Sequence, residues 1–450
     1  MKFHLIGVGG AGMNVVARLL IAEGHTVSGS DRDSSVVLDE LAELGVETFV
    51  GHDARHVPAD AIVVRSSAIK PVNPEYAVAI ERGQDIWHRS QALAFAAGER
   101  DFIAVAGAHG KTSTSGMISV ALDTLDADPS RAIGGHLAGG LPGGYLGSGS
   151  MLVAEADESD GSFLNYRPRI ALVTNVEPDH LDHYGSAEAF DQAFVDFAGK
   201  IVPGGLLVCC TDDPGATRLA DAAQVHGVRI ATYGMNPMPG DHTMISGVVS
   251  GANGVEAHVR RGDQEAHIRL SVHGTHMLMN AVGAWIVCCD LGFDAAESAS
   301  ALASFTGTGR RFELRGEVNG VRVIDDYAHH PTEVEATLRT ARSVTTGRVK
   351  VVFQPHLYSR TRHFAQAFAD ALDTADDIIV TSVYAAREVP NDGVEGDVIV
   401  AHSHKARYIP DMIDAACAIA ADSNPGDLIM TMGAGSITTV APVIVEELAQ

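Results

Sequence analysis

Lys111 closes a short loop in the stretch AVAGAHGKTST (Ala104–Thr114). A lysine between glycines and a hydroxyl residue is equipped to hold a phosphate. The common phosphate loop reads G-x-x-x-x-G-K-[ST], its first glycine five places before the second. Here Val105 stands at that first position, and Gly107 lies three places before Gly110. A cradle of this shortened kind would still offer the amides of Gly107, Ala108, His109, Gly110 and Ser113 to β- and γ-phosphate oxygens. Lys111 would neutralise them, and the Thr112 hydroxyl would reach Mg²⁺. The competing reading is a chance Gly-Lys-Thr in an ordinary strand-to-helix turn.

Two acidic strand ends keep this loop company. VAEADESDGSF places Glu155, Asp157, Glu158 and Asp160 after an apolar run, and TNVEPDHLDHYG places Glu177, Asp179, His180 and Asp182 after another. If both strands lie beside the phosphate-loop strand, all these side chains meet at one edge of the sheet, where Mg²⁺–ATP needs acids. Read singly, each cluster is a solvated loop, and a lone histidine is a poor ligand for a hard cation.

A second glycine loop opens the chain. Gly7, Gly9 and Gly12, with Gly10 and Ala11 between them, fit G-x-G-x-x-G after a strand, and Asp31 ends the next strand. Only about 90 residues separate this loop from the next, enough for one mononucleotide-sized half of a dinucleotide fold. A nucleotide with one diphosphate, such as a UDP-sugar, is therefore a better match than NAD.

The elements that must position these groups alternate along the chain. FHLIGV, AIVVRSS, FIAVAG, MLVAEAD, IALVTNV, VKVVFQ, DIIVTS and DLIMTMG read as buried parallel strands with polar or glycine C-terminal ends. Pro331–Ser343, Phe364–Leu372 and a segment starting near His276 read as helices. The stretch 243–270 alternates as exposed antiparallel strands do, and 134–150, rich in glycine, reads as a flexible loop. The fold class is α/β in three units: 1–96, which opens on the Rossmann-like glycine turn, 97–312, which holds the phosphate-type loop and a mixed sheet, and 313–450.

The chain has 450 residues and a formal charge of −25, which argues against nucleic acid or an anionic membrane as main partner. Cys209, Cys210, Cys288, Cys289 and Cys417 have neither disulfide nor metal-site spacing, so they read as buried thiols of a cytoplasmic protein. The start MKFHLIGVGG lacks a signal-peptide core, and no segment reaches the length of a membrane span.

The strings GVGGAGM, SSAIKPVNPE, AGAHGKTSTS, EADESDGSFL, TNVEPDHLDHYG, GRRFE, DDYAHHPTEV, FQPHLYSRT and MGAGSI occur in this order over nearly the whole chain. Together they resemble the Mur ligases, most closely the alanine-adding branch, and the shortened loop resembles that family's own variant. The resemblance implies that ATP phosphorylates the lactyl carboxylate of UDP-N-acetylmuramate and that the amine of L-alanine displaces phosphate from the acyl phosphate. It implies too a Rossmann-like N-terminal domain for the UDP-sugar, a central P-loop-type ATPase domain and a Rossmann-like C-terminal domain that closes over ATP and the amino acid.

Residue by residue, it implies Lys111 at the γ-phosphate, Thr112 and Glu155 on Mg²⁺ (with Mn²⁺ as an alternative) and His180 at a second metal. His276 and Asn280 would serve the adenine, and Arg311 and Asp326 would hold ATP. Tyr327, His329, His330, His356 and Arg360 would recognise the amino acid's carboxylate or the acyl phosphate, with Lys111, His180, Arg311, His329, His356 and Arg360 as the catalytic set. Gly9, Gly10, Ala11, Gly12, Asp31, Ser66, Ser67 and Asn73 would serve the UDP-sugar.

Met277 and Leu357 depart from the pattern, which has Asn and often Arg there. The helix segment Ala187–Phe197 lacks the modified lysine of the later-acting ligases. A monomer or weak homodimer is expected, and acceptor choice among alanine, glycine and serine stays open. The alternatives are a murein tripeptide ligase, a non-ligating ATP-dependent switch and, on GVGGAG alone, an NAD oxidoreductase.

Overall fold

The apolar runs named above all become strands in parallel sheets, because a segment apolar on both faces is stable only where helices cover both. The computed structural model describes residues 1–135, 137, 138, 141–386, 388 and 393–450, with the backbone alone of Leu181 and Asp182. Asp182, expected at the sheet edge, thus has a side chain outside the described residues.

The first sheet holds β1 (Lys2–Ile6), β2 (Thr26–Asp31), β3 (Glu47–Val50), β4 (Ile62–Arg65) and β5 (Ile86–His88), in the order β3-β2-β1-β4-β5. The chain winds outward from β1, then returns to its other side. The Gly7–Gly12 loop follows β1 at this reversal, where open α/β sheets leave a crevice.

The second sheet contains β6 (Asp101–Ala106), β7 (Ser130–Ala132), β8 (Gly144–Tyr145), β9 (Met151–Glu155), β10 (Ile170–Val173), β11 (Leu206–Cys210) and β12 (Arg229–Gly234). It continues with β13 (His242–Gly251), β14 (Gly254–Arg261) and β15 (Gln264–Leu270). Its order is β15-β14-β13-β12-β11-β10-β6-β9-β7-β8. The phosphate-loop strand β6 therefore lies between the two strands that carry the acids. Val105 pairs with Glu155 on one side and Ala106 with Val173 on the other. Strands β13 to β15 are joined by two-residue turns, which only antiparallel neighbours allow.

The third sheet runs β16 (Glu313–Val318), β17 (Val321–Asp326), β21 (Leu428–Met432), β18 (Val349–Phe353), β19 (Asp377–Val380) and β20 (Ala406–Tyr408). Only β16 pairs antiparallel, and Asp326, Met432 and Phe353 end three neighbouring strands in register.

The glycine-rich segment 134–150 is not a plain flexible loop. Gly144–Tyr145 pairs with Arg131–Ala132, the Arg131 guanidinium lies 4.4 Å over the Tyr145 ring, and the Tyr145 hydroxyl donates to Asp128 at 2.9 Å. A Cβ at Gly143 or Gly147 would overlap the carbonyl of Ile133 or Asp128, so these glycines permit close backbone approach. His136, Gly139 and Gly140 lie outside the described residues.

Two compact units are present. One comprises 1–248, 256–270 and 278–306, and the other 249–255, 271–277 and 307–450. The first two sheets, apart from the 249–255 hairpin tip of the second, thus share one unit, and Arg311 belongs to the other. Cys209, Cys210 and Cys288 are buried, Cys289 and Cys417 are half-buried, and all five are free thiols. No helix among the described residues is long and apolar enough to cross a membrane.

The helix Ala187–Ala198 packs Phe194 and Phe197 against Phe163, with Phe190 against Phe194, all fully buried. Ring centroids lie 4.7 to 5.3 Å apart from Phe163 to its two partners. Phe163 follows the acidic strand end, so this cluster anchors the loop that carries Asp157 and Glu158. Phe194→Ala is expected to cost about 3–5 kcal/mol, read from urea unfolding of the whole chain.

Candidate active site

The helix Lys111–Thr124 starts at a cradle shaped by backbone. Gly110 is left-handed at φ 85° and gives the helix no side-chain cap, so the first-turn amides remain open to an anion. Gly107 has φ 131°, and a Cβ there would overlap Thr174 Oγ1. Thr174 and Asn175, just beyond β10, lock the turn: Thr174 Oγ1 donates to the His109 carbonyl at 2.6 Å, and the His109 amide donates to Asn175 Oδ1 at 2.9 Å. Asn280 is buried against Gly110, with Oδ1 2.9 Å from where a Cβ would stand. The two glycines let Thr174 and Asn280 pack directly against the turn, and the uncapped helix start beyond them fits a phosphate.

Lys111 Nζ donates to the Gly107 carbonyl at 2.6 Å and meets both Glu158 oxygens at 2.7 and 2.9 Å. Burial works against the ammonium, but Glu158, Asp157 and Glu155 outweigh it and hold its pKa above the ordinary lysine value. Glu155 accepts from the Thr112 side chain and the Gly134 amide, and burial pushes its pKa up. A half-buried carboxylate beside a hydroxyl offers the oxygen donors that a hard divalent cation requires. His180 Nε2 lies 3.9 Å from Glu158 and 3.5 Å from Asp179.

Not every acid converges here. Asp157 pairs with Arg89, and Asp160 meets Ser67 and, at 3.4 Å, His88. Both turn toward the first sheet. Glu177 pairs with His109 at 3.2 Å. The Asp157–Asp160 loop therefore joins the two glycine loops, since Arg89 NH1 lies 2.5 Å from where a Gly12 Cβ would be.

At that first loop the Gly9 amide donates to Asp31 Oδ2 at 2.8 Å. The helix Ala11–Ala22 starts after Gly10, again without a side-chain cap. Asp31 thus shapes the loop itself. Ser66 turns the chain through its carbonyl, which accepts from Ile69, and Ser67 meets His88 at 3.1 Å. Asn73 Oδ1 caps the helix Pro74–Glu81 through the Glu75 and Tyr76 amides.

Ser30 supports the loop from below. Its carbonyl accepts from Gly7 and Val8, and its hydroxyl donates at 2.5 Å to Glu75, a fully buried carboxylate. Glu75 also faces His52, His56 and His4 at 3.3, 3.1 and 3.5 Å. Burial alone would raise its pKa, but His4, Ser30 and the Asp53 amide bring it down to about 2.

In the second unit, the ends of β17 and β18 gather the remaining residues. Arg310 and Arg311 lie 4.9 and 5.2 Å over the Tyr327 ring. Arg310 bonds Asp325 at 3.2 Å and the Gly433 carbonyl at 2.5 Å, and Arg311 faces Glu333 at 3.5 Å. Asp326 accepts from the amides of Phe312 (2.7 Å) and Ala328 (2.8 Å), so it pins the GRRFE turn. His329 meets Glu333 at 3.2 Å, and its ring lies 5.8 Å from that of His356. His356 stacks on Tyr384 and bonds Arg360 at 3.4 Å. His330 is buried edge-on to Phe364. Burial, then Arg311, lower His276 to about 4, so it is neutral near pH 7. Met277 is buried. Leu357 has φ 68°, with its amide bonded to the Tyr384 carbonyl.

Sequence reasoning missed Arg89, His88, Arg310 and Glu333. Arg89 and His88 follow a strand end, the same signal that marked the acids. Arg310 stood inside the quoted GRRFE, with its neighbour chosen instead.

Comparison with known proteins follows this geometry. Residues 2–100, 149–288 and 310–435 match the Mur ligase family catalytic domain, the Mur ligase middle domain and the Mur ligase glutamate ligase domain. The chain is 49% identical to UDP-N-acetylmuramate–L-alanine ligase of Kineococcus radiotolerans, over all of this chain and 96% of that protein. Its fold is similar to the crystal structure of UDP-N-acetylmuramate–alanine ligase from Thermotoga maritima, with TM-score 0.81 and 28% identity over 99% of this chain and 98% of that one. It is also similar to a murein peptide ligase from Psychrobacter arcticus, with TM-score 0.73 and 25% identity over 100% and 99%.

Burial raises Asp326 to about 6 against the opposing charge of Arg311. The protonated carboxyl is thus favoured by the fold: its contribution is complete below pH about 4 and is lost as pH rises to about 6. Asp326→Asn removes this dependence. The stability of the native chain relative to the variant is expected to fall by about 3 kcal/mol between those limits, measured by urea unfolding across the range.

Proposed function

The chain belongs to the Mur ligase family, and from that premise we propose that it joins L-alanine to the lactyl carboxylate of UDP-N-acetylmuramate at the expense of ATP. The observation that carries this reading is the order β10-β6-β9. It brings Lys111 and Thr112 to Glu155 and Glu158, with His180 beside Glu158, at one sheet edge. The same edge faces the loop that links to Gly12, so a diphosphate and a triphosphate have neighbouring seats.

A carboxylate does not acylate an amine near neutral pH, and ATP supplies the phosphoryl group that makes it an acyl donor. The protein's part is positioning and charge neutralisation. Lys111 and the amides of Gly107, Ala108 and Gly110–Ser113 hold the triphosphate in place and offset its charge, while the His109 amide is taken by Asn175. Thr112 and Glu155 are the residues that would hold Mg²⁺, which supplies further charge neutralisation, and His180 would hold a second ion. The Gly9–Gly12 loop, Ser66 and Ser67 hold the sugar nucleotide.

Arg311, with Asp326 fixing its turn, serves ATP. Tyr327, His329, His330, His356 and Arg360 form the set assigned to the amino acid and acyl phosphate. His276 and Asn280 serve the adenine. The segments 1–96, 97–312 and 313–450 are the corresponding domains, and the reaction is placed in the cytoplasm, where both nucleotides are made.

Release of ADP and phosphate is expected only when UDP-N-acetylmuramate and L-alanine are both present. Release without an acceptor would mark a switch, and a preference for a murein tripeptide over alanine would mark the recycling ligase. Lys111→Ala should lower kcat by about 10²–10³-fold or more, with the fold intact by circular dichroism.

A further inference from the structure

The contact that the proposed mechanism does not use is the one between Lys111 and Glu158. Glu158 is only 1% exposed, and Lys111 17%. The ammonium is surrounded by the Gly107 carbonyl at 2.6 Å, the Ala108 carbonyl at 3.4 Å and both carboxylate oxygens. An ammonium has three protons and no acceptor, so these groups use its donor directions. The backbone that carries the carboxylate is held in place. The Tyr184 hydroxyl donates to the Glu158 carbonyl, Asp157 is tied to Arg89, and Asp160 to Ser67.

We propose that Glu158 is a positioning residue of the nucleotide site, which folds Lys111 back onto its own loop and competes with incoming phosphate for it. This inference rests on the proposed nucleotide site. A phosphate that reaches Lys111 meets a carboxylate of its own sign in a poorly hydrated setting, where repulsion is several-fold stronger than in bulk water. Opening or sharing the pair subtracts from nucleotide affinity. His180, 3.9 Å away, gives the displaced carboxylate a second partner, so the exchange needs no unpaired buried charge. Free lysine would bind phosphate more tightly but would also leave a buried cation without an anion between turnovers.

The test is calorimetric binding of ATP to the full chain in EDTA, which removes any divalent cation from the comparison. Glu158→Gln keeps the shape and one acceptor but removes the charge, and ATP is expected to bind about threefold or more tightly than to the native chain. Glu158→Asp keeps the charge but withdraws it by one methylene, and should fall between the two. It carries the test if the glutamine variant does not fold. Kinetics supply the second readout: KM for ATP should fall in both variants, whereas a merely structural role would lower stability and leave KM unchanged. Native binding with no gain in either variant overturns the positioning role alone. Absence of ATP binding by the native chain both in EDTA and with Mg²⁺ added overturns it together with the nucleotide site; binding with Mg²⁺ alone moves the comparison of the variants to that condition.

Discussion

Parallel strands all end on the same side of a sheet, and much of this protein's chemistry depends on that constraint. Neighbours in register place the residues after their last hydrogen bond within side-chain reach of one another. With β6 between β9 and β10, a loop that follows β6 is flanked by whatever the sequence puts after the other two. Here those are acids, a histidine and the Thr174–Asn175 clasp that shapes the phosphate cradle. The third sheet repeats the device, with β17, β21 and β18 ending side by side in Asp326, Met432 and Phe353.

Buried charge is the second constraint, and it decides which residues support the site. Carboxylates around Lys111 outweigh the effect of its burial and favour the ammonium, and those carboxylates are tolerated because of Lys111 and Arg89. Glu75 obeys the same logic in the first sheet. Its ring of histidines, hydroxyl and amide offsets a full loss of hydration, and through Ser30 it fixes the backbone that carries Gly7 and Val8. Such clusters contribute little net stability compared with an apolar packing of the same volume. Their value is in holding particular atoms at particular places.

Much of this was legible in the sequence. Short apolar runs with glycine or acids at their ends specify parallel strands and the edge at which they act, so Lys111, Thr112, Glu155 and His180 could be named before any geometry was known. Strand order was harder to read, because nothing local distinguishes β9 beside β6 from β9 elsewhere. The direction of an acidic side chain was harder still. Asp157, Glu158 and Asp160 are near neighbours in one loop, yet Asp157 and Asp160 face the first sheet and Glu158 faces Lys111. That split depends on Arg89, Ser67 and His88, which are distant in sequence. The segment 134–150 failed for a related reason: its glycines signal close backbone contact as readily as freedom, and only Arg131 and Asp128 show which.

The central place of β6 also governs how the molecule can come into being. Its two partners are both made later, from Val105 to Glu155 on one side and from Ala106 to Val173 on the other. During synthesis the uncharged run FIAVA emerges with both edges bare, a state prone to wrong pairing with other chains. Pairing across such sequence distances is slow, since loop closure precedes any reward. The cradle is complete only once β10, which carries the Thr174–Asn175 clasp behind it, has paired with β6.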